Sequence, residues 1–201
     1  MKLTLRFTYV LFHKPYGVLS QFTDSTGKQT LSDFGPFLKD VYPVGRLDAD
    51  SEGLLFLTSN GKLKHLLLDP RFRHPRTYLA QVERIPSDDA LDKLRHGLLI
   101  EAKKTRAAEV ELLPNEPQLP PRPVPIRLRK NVPNVWLKLV LTEGRNRQVR
   151  KMTAAVGHPT LRLVRIAIGP LVLGDLAPGE KRELSSREVG DLMDFVRMPV
   201  R

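Results

Sequence analysis

The chain contains no cysteine. Disulfides and thiolate metal sites are therefore excluded, and a reducing cytoplasm is the expected location. No apolar run approaches the ~18 residues of a membrane-spanning helix. The apolar stretch at 8–12 runs straight into His13-Lys14-Pro15 and is too short for a signal peptide. There is no glycine-rich phosphate loop and no dinucleotide fingerprint. His65, His74, His96 and His158 lack ligand spacing and read as surface or helix-end residues. Acids are in the minority, with 22 Asp+Glu against 33 Lys+Arg and a net charge of +11. Such an imbalance calls for a polyanion: nucleic acid or an anionic membrane. No basic amphipathic helix with an aromatic face is evident, so nucleic acid is favoured over membrane.

What remains is a globular chain. Its 201 residues are 41% hydrophobic, enough for one domain with a sizeable core. Two intimately joined halves, roughly 1–85 and 86–201, are expected. Strands are expected at 3–13, 18–22, 53–58, 77–83, 98–101, 105–113, 135–141 and 161–168. Leu31–Leu38 is weakly helical, and Leu63, Leu66 and Leu67 mark a short helix ending at Asp69-Pro70. Ser87 caps a helix stopped by Gly97. Asn146–Val156 reads as another, and Ser185-Ser186-Arg187-Glu188 as the capping box of a last one. Residues 71–76 form a basic loop. Residues 114–133 hold seven of the 17 prolines, a semi-rigid loop that is either a solvated connection or an RNA-contacting insertion. The sum is an α+β architecture: a central mixed or antiparallel sheet flanked by helices and loops.

Two segments carry chemistry. Residues 44–61, Val-Gly-Arg-Leu-Asp-Ala-Asp-Ser-Glu-Gly-Leu-Leu-Phe-Leu-Thr-Ser-Asn-Gly, place Asp48, Asp50 and Glu52 just before a buried strand. The three acids could hold Mg²⁺ as in a nuclease, could be solvated turn residues, or could include a catalytic carboxylate. The second segment, Thr142-Glu143-Gly144-Arg145-Asn146-Arg147-Gln148-Val149-Arg150-Lys151-Met152, holds four cations within seven residues. Arg147, Arg150 and Lys151 fall at i, i+3 and i+4 on a helix, where like charges repel. An anionic partner is therefore expected, either RNA phosphate or a carboxylate.

Both segments resemble motifs of the RNA pseudouridine synthases that modify ribosomal RNA, with Ser51 where threonine is more usual. Lys14-Pro15-Tyr16-Gly17-Val18 is similar to that family's first motif, with His13 for a commoner asparagine. Arg76-Thr77-Tyr78 resembles its basic-x-Tyr motif, and Leu161-Arg162-Leu163-Val164-Arg165-Ile166-Ala167-Ile168-Gly169 its late strand. The Pro-rich insertion with Ile126-Arg127-Leu128-Arg129-Lys130-Asn131 looks most like the large-subunit synthase E subgroup. The resemblance implies a pseudouridine synthase fold. Only 13 residues precede Lys14, so the S4 RNA-binding domain of many relatives is expected to be missing.

The resemblance further implies that a uridine of 23S ribosomal RNA is isomerised, with no cofactor and no metal, by a monomer. Asp48 would act at the ribose, paired with Arg150. Tyr78 would stack on the flipped-out base, Leu163 would floor its pocket, and Arg46 would fill the space it leaves. Lys14, Arg71, Arg73, Arg76, Arg145, Asn146, Arg147, Gln148 and Lys151 would bind substrate, with Arg71, Arg73, Arg76, Arg145, Arg147 and Lys151 contacting phosphates. The alternative is a non-catalytic rRNA-binding or ribosome-assembly protein, which has no use for a buried acid facing its polyanion.

Overall fold

The computed structural model describes residues 7–197. In chain order the strands are β1 (Tyr9–Lys14), β2 (Tyr42–Pro43), β3 (Glu52–Thr58), β4 (Arg76–Glu83), β5 (Leu99–Ile100), β6 (Lys103–Lys104), β7 (Glu109–Leu112), β8 (Asn134–Leu141), β9 (Thr160–Ile168), β10 (Leu171–Val172) and β11 (Lys181–Glu183). The helices are α1 (Gly61–Leu68), α2 (Asp88–His96), α3 (Gln148–Ala155) and α4 (Ser186–Arg197). Among the described residues no helix is long and apolar enough to cross a membrane.

The caps form as the sequence dictates. Asn60 accepts from Leu63 N and Ser87 from Ala90 N, while Ser185 and Glu188 exchange hydrogen bonds before α4. The sheet runs β11-β1-β3-β9-β4-β8-β7, with β2 added on β3 and β10 on β9. The expected α+β architecture with a mixed sheet is what the chain adopts. Its parallel element is the β3–β9 crossing, two residue pairs long, Glu52 with Val164 and Gly53 with Arg165. Gly53 has φ +104°, and a Cβ there would overlap the Arg165 backbone, so the crossing needs glycine. This crossing joins β11-β1-β3 to β9-β4-β8-β7, and the segment that carries Asp48 ends on it.

Three apolar clusters fill the space around the sheet. Phe56 and Leu54 of β3 pack with Leu63 and Leu67 of α1 and Leu192 and Val196 of α4. Leu55 and Leu57 face the other way, against Phe12 and Leu31, with Phe22, Phe34 and Phe37 closing the edge. Burial on both faces explains why Leu54–Leu57 shows no alternation. The third cluster joins Ala80, Leu137 and Leu139 of the sheet to Leu94 of α2 and Met152 of α3.

Several expected elements come out differently. Val18–Phe22 is no strand: Leu19 N bonds Gln29 O and Leu31 N bonds Gln21 O, but the glycine and serine between them break the ladder. Leu31–Leu38 shrinks to one 3₁₀ turn at Leu31–Phe34. The strand expected at 105–113 begins only at Glu109, because Thr105 turns back to Leu98. A 3₁₀ turn at Pro70–Phe72 opens the basic loop. Residues 3–6 of the first expected strand lie outside the described residues. The Pro-rich loop is anchored: Leu119 packs on the core, Pro120 O accepts from Arg162, and the Arg122 guanidinium lies 4.0 Å from the Tyr16 ring centre.

Candidate active site

Asp48 sits in a turn held from behind. Gly45 has φ +77° and Ser51 N closes the turn on Asp48 O. Ser20 Oγ donates to Leu47 O and accepts from Leu47 N, and Gly17 N donates to Ala49 O. Lys14 completes this backing. It is fully buried, and its Nζ donates to Pro15 O at 2.8 Å, Val18 O at 2.7 Å and Ala49 O at 3.5 Å. Lys14 was expected to bind substrate; it is instead turned inward, fastening the first motif to the Asp48 turn. Burial lowers its pKa to about 7, against the pull of Glu52, Asp50 and Asp48.

The three acids do not converge. The Asp48 carboxylate is 38% exposed, so the expected buried acid is only half buried. Asp50 takes two arginines. Glu52 is buried and receives Arg162 Nε at 3.0 Å and Nη2 at 2.9 Å. Among the described residues no group of three or more His, Asp or Glu could hold a metal ion.

The expected partner of Asp48 also changes. Arg147, not Arg150, makes its ion pair, at 3.5 Å. Arg147 binds Asp50 at both oxygens as well, at 2.9 and 2.7 Å. Arg150 reaches Asp50 O at 2.6 Å, Asp50 Oδ2 at 3.4 Å and Thr160 O at 3.1 Å. The cause is local geometry. The helix starts two residues later than expected, and Arg147 caps it in the left-handed region at φ 52°, outside the helical face that carries Arg150. Burial opposes the charge on Asp50. The Arg147 hydrogen bonds and the charge of Arg150 outweigh it, so its pKa is lowered.

A cleft of about 660 Å³ opens beside this turn. Asp48, Tyr78 and Leu163 line it, with Arg46 at the exposed mouth. The opposite wall is the loop from Glu143 through Gln148, which includes Arg145, Asn146 and Arg147. That loop is fixed from inside: Gln148 Nε2 donates to Glu143 Oε1 at 2.6 Å and Gln148 Oε1 accepts from Arg145 N. Gln148 and Glu143 thus hold the loop's shape. Glu143, quoted in the motif without a role, was missed by the sequence reasoning; an acid amid four cations was the available signal.

Other expected residues stand apart. Arg73 and Arg76 line a second, adjoining cleft. Arg71 is 80% exposed and chelates Asp69. Lys151 pairs with Glu101 at 2.7 Å, outside the cleft lining. Arg150 lies behind the turn, 13% exposed. Arg165, on β9, was not singled out by its sequence, although a cation in a buried apolar strand demands a partner.

Comparison with known proteins adds to this geometry. A family model described as RNA pseudouridylate synthase matches residues 8–155. "Ribosomal large subunit pseudouridine synthase E" of Xanthomonas axonopodis pv. citri (strain 306) is 57% identical over 171 residues, 84% of this chain and 90% of that one. "Ribosomal large subunit pseudouridine synthase B" of Bacillus subtilis (strain 168) is 37% identical over 182 residues, 90% of this chain and 69% of the other. A solved structure, "Crystal structure of pseudouridylate synthase", superposes with a TM-score of 0.77 at 26% identity, covering 93% of this chain and 74% of that one.

Proposed function

Since the chain belongs to the RNA pseudouridylate synthase family, we propose that Asp48 is the carboxylate that acts at the ribose when the chain converts a uridine of large-subunit ribosomal RNA to pseudouridine. The reaction breaks the N1–C1′ bond, turns the uracil and rejoins it through C5. It is redox-neutral, and the product is an isomer of the substrate. Asp48 serves as nucleophile at C1′ or as base at C2′, and either role needs the ionised form. The Arg147 guanidinium, 3.5 Å away, supports that form and fixes its direction.

The observation that carries this reading is the composition of the cleft. An accessible carboxylate faces a phenol ring and an apolar floor, Tyr78 and Leu163, inside a surface otherwise rich in arginine. A protein that merely bound RNA would gain nothing from Asp48 there. The target base has to leave its stack, at about a few kcal/mol. Stacking on Tyr78 returns roughly 1–3 kcal/mol, and Arg46 at the mouth fills the gap in the RNA. Arg145 takes a phosphate beside the cleft, while Arg147 stays committed to Asp48 and Asp50; Arg71 and Lys151 extend the basic rim. We place this chemistry in the cytoplasm, in a monomer that needs neither metal nor cofactor.

The test is single-turnover tritium release from ribosomal RNA carrying [5-³H]uridine. Asp48→Asn keeps shape and loses charge, so tritium release disappears while RNA binding persists or tightens slightly. Turnover by Asp48→Asn near the wild-type rate would instead support a non-catalytic rRNA-binding protein.

A further inference from the structure

The second cleft, about 300 Å³, shares Arg46, Tyr78, Glu143, Gly144 and Arg145 with the first as a common wall. Its depth holds two guanidinium groups, Arg76 and Arg165. Arg165 is 3% exposed; its Nε donates to Leu54 O at 2.9 Å, and its Nη2 is buried with no hydrogen-bond partner among the described residues. Arg76 donates to Leu67 O at 3.1 Å and His74 O at 3.4 Å. Among the described residues neither has a carboxylate within ion-pair distance. The two acids that line the cleft are engaged elsewhere, Asp69 by Arg71 and Glu143 by Gln148, Arg106 and Arg145. Burial above all lowers the Arg76 pKa; Tyr78 opposes this and Arg165 adds to it.

Strand register places these groups beside the base pocket. Tyr78 of β4 lies directly across from Arg165 of β9, after a register shift between Thr77 and Tyr78. Residues directly opposite in an antiparallel pair share a face, and a bulge re-aims the side chains around it. A buried guanidinium, Arg165, beside a half-buried one, Arg76, neither with a carboxylate partner, is costly, and a bound anion removes that cost. The planar guanidinium fork matches a phosphate in particular.

We propose that this cleft is a phosphodiester subsite, in which Arg165 Nη2 and Arg76 hold the backbone phosphate of a nucleotide flanking the flipped uridine. The proposal rests on the RNA-substrate reading above. It makes Arg165 a binding residue, not only a brace for Leu54, and gives Tyr78 two neighbours: the base on one side and the backbone on the other. A phosphate seated there would set how far the ribose enters the first cleft, and so its distance from Asp48.

Methylphosphonate scanning tests this. Each phosphate around the converted uridine of a 23S rRNA fragment is neutralised singly, and kcat/KM is measured for wild type, Arg165→Gln and Arg76→Gln, with circular dichroism confirming the fold. In the wild type one position should lose roughly tenfold to hundredfold, the worth of a charge-assisted hydrogen bond. Arg165→Gln should be insensitive at that position alone while keeping its response elsewhere, a pattern that a general structural defect does not produce. If Arg165→Gln fails to fold, Arg76→Gln carries the same comparison. A folded variant that keeps the full wild-type profile at every phosphate overturns the subsite. Failure of the wild type to convert any uridine overturns the RNA-substrate reading with it.

Discussion

Arg147 bridges two carboxylates of one turn: both Asp50 oxygens accept from it at 2.9 and 2.7 Å, and Asp48 lies 3.5 Å from the same guanidinium. Asp50 thereby anchors the cation that orients Asp48. Arg150 grips Asp50 from the other side, through its carbonyl and its carboxylate. Asp48, the carboxylate proposed to act at the ribose, is thus directed by a guanidinium that Asp50 anchors.

Asp50→Asn should therefore lower kcat, because Arg147 loses its bidentate anchor and the Asp48 side chain loses its direction. A loss of roughly tenfold to hundredfold is expected, with RNA affinity hardly changed. The depressed Asp50 pKa adds a pH signature. Stabilisation from this group is present above its unfolded pKa and disappears as pH falls through the lower folded one. Single-turnover rates and filter binding check the first claim. A kcat equal to wild type would show that Arg147 needs no anchor.

Glu52 and Arg162 form a buried bidentate pair whose second task is to hold Pro120 O at 2.8 Å. Arg162→Met leaves a buried carboxylate without its partner and should cost about 3–5 kcal/mol of stability. The double variant Glu52→Gln with Arg162→Met should recover much of that loss. Urea unfolding of wild type, Glu52→Gln, Arg162→Met and the double variant measures the coupling. Additive losses would mean that the pair is not interacting as drawn.

The elements that the sequence displays clearly are those with local causes. Ser87 and Ser185 cap helices where expected, and Leu54–Leu57 lies in a strand buried on both faces. Asp48, Tyr78, Leu163 and the arginine loop, 115 residues apart at their extremes (48 to 163), do meet in one cleft. What stayed hidden depends on backbone conformation and on which way a side chain turns, neither of which residue type displays. Asp48 and Asp50 are two residues apart, so composition could not tell which takes Arg150. The left-handed Arg147 decides it, and Asn146 beside it looks like the better cap. Lys14 reads as a surface cation until Pro15, Val18 and Ala49 are seen to surround it. Arg165 gains meaning only from its register with Tyr78 and Gly53.

Lys14 should leave a pH signature of its own. Its pKa falls from 10.5 unfolded to about 7 folded, chiefly by burial. Between those values the unfolded chain binds more protons, so stability rises with pH, by up to about 1.4 kcal/mol per unit for one group. Below pH 7 both states are protonated and the slope vanishes. Lys14→Met lacks the group entirely. Wild type should therefore gain roughly 2 kcal/mol over Lys14→Met between pH 7 and pH 9 in urea unfolding. Parallel pH profiles of the two proteins would contradict a depressed Lys14 pKa.

Tyr78 stands in the wall between the two clefts and touches both. If its work is to offer a ring face to the flipped uracil, Tyr78→Phe keeps most of the activity. Tyr78→Leu removes the π surface and should lose roughly ten- to a hundredfold, the equivalent of one base-stacking contact. Leucine also leaves a gap between the base pocket and the arginine cleft, which should raise KM as well as lower kcat. The phenol hydroxyl is the one group that separates Tyr78 from Phe, so the pair of variants isolates it. Single-turnover tritium release on the same RNA gives the comparison. Near-complete loss in Tyr78→Phe, equal to that in Tyr78→Leu, would assign the hydroxyl to proton transfer and would remove stacking as the reason for a tyrosine at this wall.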